Sequence, residues 1–119
     1  MRFARRLIPL MRVLALVLVV LGIGFWTGHW YQFLSIHRGL GVVFVFSLWI
    51  IAIAALADRR SAALGITSIV WGLVIMGLGM TQQRILTGDL HWIVRLTHLA
   101  TAIVAMQLAE RLVRNPAPR

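Results

Sequence analysis

The chain has 119 residues, 61% of them hydrophobic and 13% charged, with a mean hydropathy of +0.90. A soluble domain of this size has no interior large enough for that much apolar surface, so the solvent for this chain is lipid. Twelve arginines, no lysine and three acidic residues leave a net charge of +9, and there is no cysteine, which excludes disulfides, thiolate iron–sulfur ligation and covalent haem attachment.

The arginines flank apolar runs, so the charge reads as membrane topology and lipid phosphate contact, with no nucleic-acid partner. Residues 1–8 carry Arg2, Arg5 and Arg6, and Pro9 suits the first turn of a helix. A first span follows over about residues 9–27, in which Arg12 can snorkel outward. Its basic start resembles a signal peptide. The apolar run outlasts an ordinary signal core, however, and Thr27-Gly28-His29 offers no small-residue cleavage site, so the span is expected to be retained.

The second span covers about residues 31–57 and closes on the polar turn Asp58-Arg59-Arg60-Ser61. The third covers about 62–81. A polar connection from Thr81 to Asp89 leads to the fourth, about 91–113, and residues 115–119 read as a frayed tail. The expected fold class is an all-α membrane protein, a four-transmembrane-helix up-down-up-down bundle formed as one domain over residues 1–119. Nine arginines fall at the N-terminus, the second turn and the C-terminus, against Arg38, Arg84 and Arg95 on the other side. The positive-inside rule then puts both termini in the cytoplasm of a bacterial-type inner membrane, with Trp26, Trp30, Tyr31 and Trp92 as an outer aromatic belt.

Histidine inside hydrocarbon is costly and marks function. His37 lies in the run Ser35-Ile36-His37-Arg38-Gly39-Leu40-Gly41, and His98 is its expected partner on the diagonal helix. Neighbouring helices at roughly 8–10 Å leave no space for a porphyrin between their axes, and a diagonal pair leaves more. Measured from the aromatic belt, both histidines lie roughly 9–10 Å deep. Measured from the cytoplasmic ends the two disagree, which favours His91 as the second ligand instead. His91, His98, Ala102, Ala105 and Ala109 share one stripe of the fourth span, and His37, Gly41 and Phe44 share one of the second.

Most glycines fall in or above the outer half, where a flat macrocycle would need room, although Gly65 and Gly72 are fully explained as helix contacts. Arg38 and Arg95 stand next to the candidate ligands and suit haem propionates, with Arg84 a further candidate; snorkelling to lipid headgroups is the competing reading for each. His29 reads as a solvated turn residue. With no thiol nearby and no carboxylate but Asp89, two histidines would hold zinc or copper poorly.

The run Tyr31-Gln32-Phe33-Leu34-Ser35-Ile36-His37-Arg38-Gly39-Leu40-Gly41 resembles the start of the second helix in the haem A synthase family, where an I-H-R-x-x-G run carries a haem-ligand histidine. Arg95-Leu96-Thr97-His98-Leu99-Ala100 is similar to that family's fourth-helix R-L-x-H-L run. Those proteins are two fused four-helix halves, and this chain resembles one half along its whole length; other four-helix b-type cytochromes share the same logic. The resemblance implies non-covalent haem b held by His37 and His98. It does not extend to haem A synthesis, because Leu34 stands where the family's catalytic half has a glutamate.

The expectation is a small membrane cytochrome that transfers electrons or handles haem, in a larger respiratory or assembly complex or as a homo-oligomer, and not itself an enzyme. Two alternatives compete with it. One is a cofactor-free accessory subunit packed through glycine seams. The other is a four-span transporter, which ranks last because the only acidic residue within a span is Glu110, near a helix end.

Overall fold

The computed structural model describes residues 1–115, so the expected tail at 116–119 lies outside the described residues. Four long helices follow in order: α1 (Arg2–Trp26), α2 (Leu34–Ala57), α3 (Ala62–Thr81) and α4 (His91–Arg114), with 3₁₀ turns at Tyr31–Phe33 and Gln82–Arg84. At about 1.5 Å per residue, helices of 20 to 25 residues are some 30 Å long or more, which matches the hydrocarbon core of a bilayer. All four are apolar enough to cross a membrane. Outward side chains such as Val13, Leu16, Ile53, Ile66 and Leu73 are more than half exposed, as a lipid-facing surface requires.

The first helix differs from expectation. It starts at Arg2, so Pro9 lies inside it and not in its first turn. Proline lacks the N–H that would bond the Arg5 carbonyl, yet Pro9 faces outward, where that carbonyl can be solvated. The early turn is held by burial of Ala4 and Ile8, and the Met1 amino group lies 3.2 Å from Asp58 Oδ2.

Consecutive helices pack against each other, α4 closes against α1, and α2 touches α4 across the bundle while α1 and α3 do not meet. The bundle is therefore flattened, with extents of 52 × 24 × 16 Å. The α2–α4 diagonal was expected to be the roomy one, and along much of its length it is the short one. Ala52, Ala55, Ala105 and Ala109 are all fully buried in one core cluster, and alanine lets two helix backbones approach closely.

Core packing is uneven along the axis. The cluster runs from Ala4, Ile8, Met11 and Leu14 through Phe44–Ala55 to Ala105, Ala109 and Leu112, the half that holds the start of α1 and the end of α4. Beyond mid-bundle, in the half that holds the end of α1 and the start of α4, burial thins to Gly24, Ile75, Val94 and Thr101 among the described residues. The first half is the termini end of the bundle and the second its histidine end.

Indole hydrogen bonds tie the core together. Trp49 Nε1 donates to the Ile69 carbonyl (3.1 Å) and Trp71 Nε1 to the Thr101 carbonyl (2.8 Å), linking α2 to α3 and α3 to α4. A methyl group at Gly72 would collide with the Trp49 indole, and one at Gly65 with Leu56. Gly72→Ala is expected to destabilise the fold by about 1–3 kcal/mol through overpacking, measured as unfolding in mixed detergent.

Schellman turns close both α1 and α2. His29 N–H bonds the Gly24 carbonyl and Gly28 N–H that of Phe25, with Gly28 at φ +84°. At the end of α2, Arg60 N–H bonds the Ala55 carbonyl and Arg59 N–H that of Leu56, but here the left-handed position (φ +53°) is taken by Arg59. A side chain in that region costs about 1 kcal/mol, so the exposed Arg59→Gly is expected to raise stability by up to that amount in the same assay. Ser61 then caps α3, its Oγ accepting from Leu64 N–H at 3.3 Å.

Candidate functional site

Gly22 and Gly79 create the two seats at the histidine end. A Cβ placed on Gly22 of α1 would lie 3.8 Å from His37 Cε1, and one placed on Gly79 of α3 would lie 3.3 Å from His98 Cε1. Each hairpin thus lays the histidine of its second helix over a glycine of its first. The pattern repeats between α1–α2 and α3–α4. Any side chain at Gly79 would press on the nitrogen-bearing edge of the imidazole, because 3.3 Å is already tighter than ordinary van der Waals contact.

Both imidazoles are half-buried. In each ring Nδ1 is buried with no hydrogen-bond partner among the described residues, and Nε2 is not among the buried atoms. A buried polar atom without a partner costs about 1–3 kcal/mol, and such atoms concentrate where function requires them. Phe25 of α1 meets the His37 ring edge-to-face, 5.3 Å between centroids at 75°. Phe25 in turn stacks on Tyr31 at 6.1 Å, and Tyr31 Oη donates to the Phe25 carbonyl at 3.0 Å. The His37 ring is therefore held on two sides. On α4, Thr101 Oγ1 donates to the His98 carbonyl at 2.7 Å, and Thr101 is itself buried.

The other expected residues sort by position. A methyl group at Gly41, on the His37 face of α2, would meet nothing within 4 Å, so the space beside this face is open. Arg38 is exposed next to His37. Arg95 is half-buried and, with His91, Gln83, Thr87 and Gly88, lines a pocket between the start of α4 and the α3–α4 connection. His91 is engaged in bracing that connection, its Nδ1–H donating to the Ile85 carbonyl at 3.1 Å. His29 is exposed and bonds Thr27 Oγ1 at 3.2 Å through Nδ1, which fits a turn residue.

Charge divides the same way as packing. Among the described residues Asp58 and Glu110 take part in every ion pair, all at the termini end. Arg12 reaches Glu110 through Nε and Nη2 (3.1 and 2.9 Å), and so does not simply snorkel to lipid; Arg114 pairs with the same carboxylate. Arg38, Arg84 and Arg95 pair with no carboxylate among the described residues. The histidine end thus has fewer buried side chains, two half-buried imidazoles, and guanidinium groups with no carboxylate partner among the described residues.

Sequence reasoning missed Phe25 against the His37 ring and Thr101 on the His98 carbonyl. Phe25 looked like one more apolar residue of the first span, and Thr101 like a neutral one. Gly22 and Gly79 were grouped with glycines that do other work: Gly24 is covered by Trp30, and Gly28 and Gly88 serve positive-φ turns. Comparison of the chain with protein families, curated proteins and solved structures gives no match.

Proposed function

We propose that this chain is a small multi-pass membrane cytochrome that binds one haem b at the histidine end, with His37 and His98 as the two axial ligands. The single observation carrying this reading is the paired seating of the two imidazoles. They come from the diagonal helices α2 and α4 and lie against Gly22 and Gly79, at the end where fewer side chains are buried. The donor set fits haem iron: two imidazoles whose Nε2 atoms are free of hydrogen bonds, with no thiol or carboxylate competing.

Each neighbouring residue has a definite task. Phe25 packs edge-to-face on the His37 ring, and Gly22 and Gly79 leave room for the outer edges of the two rings. Gly41 keeps the space beside His37 clear. Arg38 offers an uncompensated guanidinium for a propionate carboxylate, a geometry in which arginine can bond with two parallel N–H groups. Iron held by two histidines has no open position, so the bound group would supply one-electron transfer and not oxygen activation.

The arginine distribution supports an orientation with the termini end in the cytoplasm and the histidine end outside, in a bacterial-type inner membrane. The short connections and alternating helix ends support up-down-up-down threading of the membrane. Haem b titrated into the purified chain should saturate at one equivalent and give a low-spin spectrum. Saturation without low-spin bands, or no saturable binding, would remove the reading.

A further inference from the structure

The pocket lined by Gln83, Thr87, Gly88, His91 and Arg95 lies outside the imidazole pair and has its own chemistry. His91 and Arg95 are one helical turn apart on α4 and present their side chains to the same space. A carbonyl oxygen can only accept, so the bond to Ile85 fixes the proton on His91 Nδ1 and leaves Nε2 for a ligand. Arg95 brings a guanidinium with no carboxylate partner among the described residues, and Gln83 and Thr87 add an amide and a hydroxyl. Nothing lining the pocket is acidic.

The site is a shallow, open depression of about 280 Å³, so its chemistry and not its size selects the ligand. Exposed Trp92 follows His91 directly, and a tryptophan at the end of a membrane helix sits at headgroup level. A planar, permanently charged fork surrounded by neutral donors at that depth suits a tetrahedral oxyanion better than a cation or a neutral ring.

We infer that this pocket binds a phosphate group at the membrane surface, supplied either by an anionic lipid headgroup or as free phosphate. Arg95 donates to two phosphate oxygens, Thr87 and Gln83 donate to the remaining oxygens, and the His91 Nε2 lone pair accepts from a headgroup hydroxyl or a protonated phosphate oxygen. The inference goes beyond the haem reading and does not depend on it.

The test uses the full chain in uncharged detergent, with thermal unfolding followed by circular dichroism. Dihexanoyl-phosphatidylglycerol below its micellar concentration and inorganic phosphate are titrated separately, against chloride at equal ionic strength. A saturable upward shift is expected with at least one probe. A shift with the lipid alone identifies a headgroup; a shift with inorganic phosphate identifies the phosphate group itself as sufficient. Arg95→Gln should weaken the apparent affinity at least about tenfold, as loss of a charge-assisted pair requires. His91→Ala should weaken it less, and Arg84→Gln, at the same end but outside the pocket, should leave it unchanged.

Should Arg95→Gln fail to fold, Arg95→Lys keeps the charge but loses the fork and should still bind more weakly than wild type. The inference is overturned by no saturable shift with either probe. It is equally overturned if Arg95 variants bind as wild type does, or if Arg84→Gln loses as much as Arg95→Gln. Haem absorbance recorded on the same samples is a separate readout, so failure of one proposal is distinguishable from failure of the other.

Discussion

Arg60→Ala is expected to destabilise the bundle by about 3 kcal/mol, the largest effect of any single charged-residue replacement in the chain. The Arg60 side chain is only 8% exposed, and its Nε lies 3.9 Å from Asp58 Oδ2. Its Nη1 is 3.3 Å from the carbonyl oxygens of both Leu112 and Val113 and also meets that of Asn115. These are carbonyls at the end of α4, where the helix has no N–H groups of its own left to offer. A cation there also opposes the negative end of the helix dipole. Most of the loss therefore comes from uncapping α4 in a partly buried setting, and the Asp58 pair adds less because that carboxylate is 39% exposed. Arg59→Ala, one residue earlier and pointing outward, should change stability by no more than about 0.5 kcal/mol. Unfolding in mixed detergent measures both. Equal effects of the two substitutions would mean that the contacts of Arg60 with α4 contribute nothing.

The second large effect concerns haem. His37→Ala and His98→Ala should each lower haem affinity by well over about tenfold, since even a residue that only orients a ligand contributes tenfold or more. His91→Ala should retain it, because His91 is engaged with the Ile85 carbonyl and lies in a separate pocket. Both ligand variants should keep wild-type helicity, as neither imidazole belongs to the buried core cluster. Haem retained by His98→Ala and lost by His91→Ala would move the second ligand one stretch up α4 and leave the rest of the account standing.

Much of the fold is legible in the sequence because lipid imposes a simple rule. A segment of some twenty apolar residues must be a helix, and Ala62 to Thr81 is found as expected. The start of α1 was not legible. Arg2, Arg5, Arg6 and Pro9 have the composition of a flank, and only the burial of Ala4 and Ile8 against other helices makes them helical. Arg60 was hidden for another reason. It is chemically identical to Arg59, and the left-handed turn alone sends one inward to α4 and the other to solvent.

The candidate site was drawn from residue type and not from geometry. Histidine within a hydrocarbon span stands out because the alternatives are apolar, and that contrast singles out His37 and His98. The seating on Gly22 and Gly79 requires knowing how two hairpins lie against each other, and glycine spacing alone does not separate these two from Gly65 and Gly72, which meet Leu56 and Trp49. The closeness of α2 to α4 was likewise unreadable. The alanines that allow it look like any small-residue stripe until the partner helix is placed.

A reduced-minus-oxidised absorption spectrum of the chain purified from membranes, with haem supply ensured during expression, tests the central claim most directly. The account predicts b-type bands with the sharp low-spin form of iron held by two imidazoles, at one haem per chain. A colourless protein under those conditions, correctly folded by circular dichroism, would contradict it.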